Sequence, residues 1–136
     1  MTNPASRICG GSEILKLTET HERILIFLIS LHSFIVGIML LFAAEWAVRF
    51  AGWAGADPIF FIWQAGAFHF VLATGYLVEY FRSRTIVLLL IAKSVAVVFL
   101  IGGSLLTEAP WSVWFSGCAD GAMALAAFLV HRAVKK

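Results

Sequence analysis

Four long apolar runs divide this sequence and constrain its fold more than any other feature. They cover residues 24–44, 59–78, 85–106 and 111–130, which is 20 to 22 residues each. A helix of about 20 residues crosses the ~30 Å hydrocarbon layer of a bilayer, whereas a membrane strand needs only about 10 residues of alternating polarity. The runs do not alternate, and in lipid only helices or closed barrels satisfy the backbone. The sequence therefore predicts an all-α fold, a bundle of four transmembrane helices.

Composition agrees with this fold. The 136 residues are 61% hydrophobic and 13% charged, with a mean hydropathy of +0.92, whereas a soluble domain is about 45–50% apolar and a quarter charged. The chain reads as a single transmembrane domain, 1–136, that begins with a polar arm, 1–20. Its basic residues are not interleaved with aromatic ones, which argues against nucleic acid as a partner. Cys9 and Cys118 form no CxxC motif, so neither a disulfide nor a zinc site is expected.

The distribution of lysine and arginine predicts the orientation. Eight of these residues flank one side of the runs: Arg7, Lys16, Arg23, Arg82, Arg84, Arg132, Lys135 and Lys136. The opposite side has only Arg49, and Lys93 lies inside the third run. Because loops rich in Lys and Arg stay in the cytoplasm, both termini are predicted to be cytoplasmic. A multi-pass protein of the plasma membrane, specifically a bacterial inner membrane, is expected.

Tryptophans collect at the opposite side, as expected of interfacial anchors with amphipathic rings. They are Trp46, Trp53, Trp63, Trp111 and Trp114. Residues 45–55 are predicted to form a short interfacial helix, because Trp46, Phe50 and Trp53 recur at helical spacing on one face. Anchoring is the plain explanation of this belt. A site for an outer-leaflet lipid, a quinone or a partner helix is the alternative.

Each predicted helix carries one polar residue deep in the membrane. At 1.5 Å of rise per residue, His32 and Lys93 lie about 13 Å from the cytoplasmic edge, Asp120 about 16 Å and His69 about 20 Å. A charged residue at such depth costs roughly 2.5–3.5 kcal/mol and is usually paired or functional. The four residues are therefore predicted to form a buried polar cluster, with Tyr76 two turns below His69 on the same face.

Lys93 and Asp120 are the predicted ion pair in this cluster, because opposite charges at one depth can satisfy each other. A purely structural role in fixing helix register is the simpler interpretation of the pair. Axial haem ligation by His32 and His69 is a minor hypothesis, as is a proton relay through His69, Asp120 and Lys93. Glu79, near the inner edge, is expected to make a local ion pair with Arg82.

The architecture resembles the DoxX-like family of small four-helix bacterial membrane proteins over about residues 24–131. The part expected to carry a family signature is Gly66-Ala67-Phe68-His69 together with Lys93 and Asp120. This resemblance implies an accessory or redox-linked role.

Three functions follow in order of preference. The first is a non-enzymatic accessory or assembly subunit that acts through helix–helix contacts, with other membrane proteins or its own copies as partners, and with no catalytic residue, metal or cofactor. The second is a ligand-binding or redox-linked protein that holds a quinone, lipid or haem b at the polar cluster. The third is a proton or ion carrier.

Overall fold

The computed structural model describes the backbone of residues 4–135 and the side chains of residues 19–135. Five helices follow one another, and the described residues include no strand, so the all-α prediction is confirmed. The helices are α1 (Pro4–Phe42), α2 (Ala44–Phe50), α3 (Ile59–Ser83), α4 (Val87–Leu106) and α5 (Trp111–Val134).

Two prolines define where α3 and α5 begin. Pro58 and Pro110 have extended backbone, with ψ of 130° and 163°, and directly precede the first helical residue. Proline suits a helix start because its fixed φ is compatible with the first turn and its missing N–H is not needed there. Both helices then continue past the ends of the apolar runs, to Ser83 and Val134. The helices are longer than the runs because an apolar run covers only the lipid-buried part of a helix, and the more polar last turn lies beyond it.

The first helix is longer than its apolar run. Its backbone is helical from Pro4 onward, so most of the predicted polar arm is a continuation of α1. The part that is long and apolar enough to cross a membrane begins at Glu19 and ends at Phe42. The side chains of residues 1–18 lie outside the described residues.

The four long helices pack as two pairs. α1 packs along α3, α4 packs along α5, and α1 joins the pairs through α5, whereas α3 and α4 touch only slightly. Glycine allows the closest approach, because a Cβ atom on Gly37 would lie 3.0 Å from the carbonyl oxygen of Gly66, and one on Gly66 would lie 3.0 Å from the oxygen of Gly37. In lipid, where helices gain nothing from the hydrophobic effect against each other, such close packing is a main source of association.

The outer surface of the bundle is apolar. Phe42, Phe99 and Leu106, for example, are 82%, 75% and 87% exposed. Soluble proteins rarely expose contiguous apolar surface of this extent. Four helices are also long and apolar enough to span a bilayer: Glu19–Phe42, Ile59–Ser83, Val87–Leu106 and Trp111–Val134. The chain is thus a multi-pass membrane protein.

The short helix α2 ends earlier than predicted, at Phe50 rather than residue 55. Gly52 has a φ of +92°, its N–H donates to the carbonyl of Arg49, and the N–H of Trp53 donates to that of Val48. This pair of bonds is a Schellman motif, which requires a residue with positive φ and so favours glycine. The ring of Trp46 stacks on Phe50, and Phe50 meets Trp111 of α5, while Trp53 lies beyond the helix. The predicted three-residue aromatic face is therefore wrong in Trp53.

Candidate functional site

The structure brings Lys93 and Asp120 together in the middle of the α4–α5 pair. The ammonium of Lys93 donates to Oδ1 of Asp120 at 2.5 Å, and Lys93 is only 4% exposed. Small residues on α5 allow this approach, because a Cβ atom on Gly117 would lie 2.6 Å from Ile101 on α4. Each charge thus has a partner inside the hydrocarbon layer, where an unpaired charge would be costly.

His69 of α3 is within electrostatic range of both charges of this ion pair, Lys93 and Asp120. Its Nδ1 atom is buried and has no hydrogen-bond partner among residues 19–135. The histidine is held close to α1, because a Cβ atom on Gly37 would lie 3.3 Å from the Cβ of His69. A buried polar atom without a partner costs free energy, so the Nδ1 atom of His69 can still form a hydrogen bond.

His32 does not join the buried cluster. It is exposed on the outer surface of α1, although it is still within electrostatic range of Lys93 and Asp120. The buried face of α1 runs instead through Ile26, Ile29 and Ser33, and position 32 falls to one side of it. The prediction that all four helices bury their polar residue is therefore wrong for α1. Haem ligation by His32 and His69 stays a prediction.

Tyr76 is buried in the apolar core of the bundle, 2% exposed, and lies within electrostatic range of Asp120. Its neighbours in that core include Ile26, Leu89 and Ala127. Ala73, one turn above it, is also buried.

A second polar cluster, which sequence reasoning missed, joins three helices at one end of the bundle. Glu22 of α1 accepts a hydrogen bond from the hydroxyl of Tyr80 on α3 at 2.9 Å, and its other oxygen pairs with Nδ1 of His131 on α5. Glu22 is only 4% exposed. Its position offered a signal, because it precedes Ile26 and Ile29 by four and seven residues and so shares their face.

Arg84 completes this cluster. It follows α3 in the left-handed conformation, with a φ of 52°, and its N–H donates to the carbonyl of Tyr80. Its guanidinium lies 5.4 Å from the centre of the Tyr80 ring, within the range of a cation–π interaction. We call the end of the bundle formed by residues 19–23, 82–84 and 131–135 the basic end.

Glu79 has a different role from the predicted pairing with Arg82. Its carboxylate accepts hydrogen bonds from the backbone N–H groups of Val87 and Leu88 and from the Thr85 hydroxyl, each at 2.9 Å. These are N–H groups at the start of α4, which have no partner inside the helix. The predicted ion pair is wrong, because the following helix supplies donors that the carboxylate can reach directly.

An apolar groove of about 460 Å³ lies between α1 and α3. Phe27, Phe34, Thr74 and Leu77 are among its lining residues, with Ser30 between them. The hydroxyl of Ser30 is buried and has no hydrogen-bond partner among residues 19–135. Across the same described residues, no group of three His, Cys, Asp or Glu side chains comes together as a set of metal ligands.

Comparison with protein-family models, curated proteins and solved structures finds no match to this chain.

Proposed function

We propose that this chain is a small accessory or assembly subunit that binds other membrane helices, or a second copy of itself, in a bacterial inner membrane. The observation that carries the proposal is a pair of glycines on α4, Gly102 and Gly103, with open space where a side chain would stand. A Cβ atom at either position would have nothing within 4 Å. The architectural likeness to the DoxX-like family is in keeping with an accessory role.

The other glycines in the spans differ from this pair. Gly37, Gly66, Gly75 and Gly117 each lie against a neighbouring helix of the same chain, at distances that a side chain would violate. Gly102 instead lies on a face with Val95, Phe99 and Leu106, which are all highly exposed. A glycine in a helix costs about 1 kcal/mol relative to alanine, and small residues on a lipid-facing helix allow another helix to approach.

The test is association after mild detergent extraction. We expect wild type to purify with a partner or as an oligomer, measured by light scattering and mass spectrometry. Gly102→Leu with Gly103→Leu should abolish that association and leave the bundle folded. Ala67→Leu is the matched control, because it enlarges an exposed small residue on α3. A monomeric wild type without a partner, or equal loss in the control, would contradict the proposal.

The proposed orientation places both termini and the basic end in the cytoplasm, with α2 at the outer interface. It is supported by the eight-to-one distribution of basic residues. In a background of Cys9→Ser and Cys118→Ser, we expect a membrane-impermeant maleimide on intact cells to label Gly55→Cys and to spare Ser83→Cys. The reverse pattern would overturn the orientation.

A second candidate function is binding of a small ligand at the polar core, and the unpartnered Nδ1 of His69 favours it. A quinone or lipid carbonyl cannot donate a proton, so the imidazole would donate to it from whichever nitrogen carries hydrogen. Ligand content of wild type and His69→Phe, compared by mass spectrometry and absorption at equal folded fraction, tests this function. Loss of one specific molecule supports it, a Soret band lost with His69 identifies haem, and equal content refutes it.

A further inference from the structure

The basic end of the bundle contains a cavity of about 250 Å³ that the proposed function does not use. Its lining residues come from α1 and α5 and from the positions that follow α3 and α5: Glu19, Glu22, Arg84, His131, Val134 and Lys135. The cavity is too small for a whole lipid and is lined by charged groups, unlike the apolar groove between α1 and α3. We propose that it binds the phosphate of a phospholipid headgroup, whose acyl chains then follow the apolar outer faces of the helices.

Two cations of the cavity lining, Arg84 and Lys135, are the first argument. The buried Glu22 carboxylate is already engaged by His131 and by the Tyr80 hydroxyl. Among residues 19–135, no carboxylate lies within ion-pair distance of Arg84 or Lys135. Arg84 and Lys135 are therefore two cations of the cavity lining without a carboxylate in ion-pair contact, and a lipid phosphodiester would supply the anion. Basic pockets between helices at the cytoplasmic face are known places for anionic headgroups.

The fixed position of Arg84 is the second argument. Its left-handed backbone turns the chain at the end of α3, and its guanidinium lies over the Tyr80 ring. Tyr80 is itself held by Glu22, so the cation is placed by contacts that reach from α1 to α5. A guanidinium stacked on an aromatic face still presents its N–H groups at the edge, where they match two phosphate oxygens. Arg84 is therefore prepared to bind phosphate before the lipid arrives.

Two neighbouring arginines provide a matched control. Arg82 lies two residues before Arg84, and Arg132 three residues before Lys135, yet neither lines the cavity. Neutralising Arg82 and Arg132 removes two positive charges from the basic end, as neutralising Arg84 and Lys135 does. A diffuse attraction to an anionic surface would respond equally to both changes, whereas a site responds only to the pair that lines it.

The experiment measures phosphatidylglycerol binding to the purified full chain by native mass spectrometry, with diacylglycerol of the same acyl chains, which has no phosphate, as the reference lipid. We expect Arg84→Gln with Lys135→Gln to weaken the phosphatidylglycerol affinity about tenfold or more, as befits lost charge-assisted hydrogen bonds. Arg82→Gln with Arg132→Gln should change it less than about twofold. Arg84→Lys, which keeps the charge, should recover part of the loss and shows that the effect does not come from misfolding.

Three outcomes would overturn the proposal: equal weakening in both double variants, no weakening in either, or equal binding of diacylglycerol in wild type. A further arm adds inorganic phosphate at millimolar concentration. Displacement of lipid by millimolar phosphate supports a phosphate site, and thermal stabilisation by phosphate alone that matches the effect of lipid would assign the site to a soluble ligand instead. Loss of headgroup binding without loss of helix association would separate this inference from the proposed function.

Discussion

The ammonium of Lys93 on α4 lies 2.5 Å from a carboxylate oxygen of Asp120 on α5, and both side chains are largely shielded. Each charge depends on the other, because the hydrocarbon around the bundle offers no water to replace a lost partner. A buried ion pair is weak evidence of net stabilisation, but breaking one leaves an uncompensated charge.

The single variants Lys93→Met and Asp120→Leu should each lower the free energy of unfolding by about 3–5 kcal/mol. The double variant should lose clearly less than the sum, since it leaves no charge unpaired. Unfolding in mixed detergent micelles measures all three. Strictly additive losses would show that the two residues are not energetically coupled.

Glu22→Ala should destabilise the basic end by about 2–3 kcal/mol, because it leaves both the Tyr80 hydroxyl and His131 without their acceptor. Tyr80→Phe removes one hydrogen bond and should cost about 1 kcal/mol. Glu19→Ala, at an exposed position on the same helix, is the control and should change stability by less than about 0.5 kcal/mol. Similar losses for Glu19→Ala and Glu22→Ala, measured by thermal unfolding in detergent, would refute this role.

Gly66→Ala should lower the free energy of unfolding by about 1–3 kcal/mol, because its Cβ would meet Leu41 at 2.9 Å and the backbone oxygen of Gly37 at 3.0 Å. A backbone oxygen cannot move aside as a side chain can. Gly102→Ala makes the same chemical change where nothing lies within 4 Å of the added Cβ. It should raise the free energy of unfolding by about 0.5–1 kcal/mol, because alanine has the higher helix propensity. Opposite signs for the two variants are expected; equal effects would contradict the close α1–α3 packing.

Glu79→Ala should loosen the first turn of α4 and cost about 1–2 kcal/mol, as does loss of a capping side chain. Hydrogen exchange of the Val87 and Leu88 amides reports the cap directly and should rise in the variant. Arg82→Ala should leave both amides protected. Faster exchange of these amides in Arg82→Ala would instead support the predicted Glu79–Arg82 ion pair and contradict the capping role of Glu79.

Some of these features could be predicted from the sequence, and their physical reason is the lipid. Hydrocarbon requires helices of about 20 apolar residues, which places α3, α4 and α5 to within a few residues. Hydrocarbon also makes an isolated charge costly, so Lys93 was expected to pair with a carboxylate at a similar depth. Asp120 is the carboxylate at that depth, and the two residues form an ion pair. Gly52 marks the end of α2, because glycine readily adopts a positive φ, but the predicted helix over residues 45–55 ran past this signal.

Other features depend on how helices turn about their axes, which hydropathy does not specify. His32 seemed as deep as Lys93, but the rotation of α1 exposes it and buries Ser33 instead. Glu22 and His131 lie near the ends of their membrane spans, where charged residues are common. Their predicted depth therefore did not indicate that they contact each other, although 109 residues separate them in the sequence. Glu79 was assigned to its own helix because local pairs are easy to see, whereas its cap on α4 depends on the turn between the helices.

The contact between Glu22 and His131 also sets an order of events during synthesis. Glu22 enters the membrane with the first helix, and its partner is 109 residues further along the chain. At roughly 5–20 residues per second, a ribosome needs on the order of 5–20 s to cover that distance. During this interval Tyr80, once α3 has been made, can already donate its hydrogen bond to the carboxylate. The contact between α1 and α5 at the basic end can form only after α5 is made, so a chain truncated before His131 would leave the Glu22 carboxylate without its histidine partner.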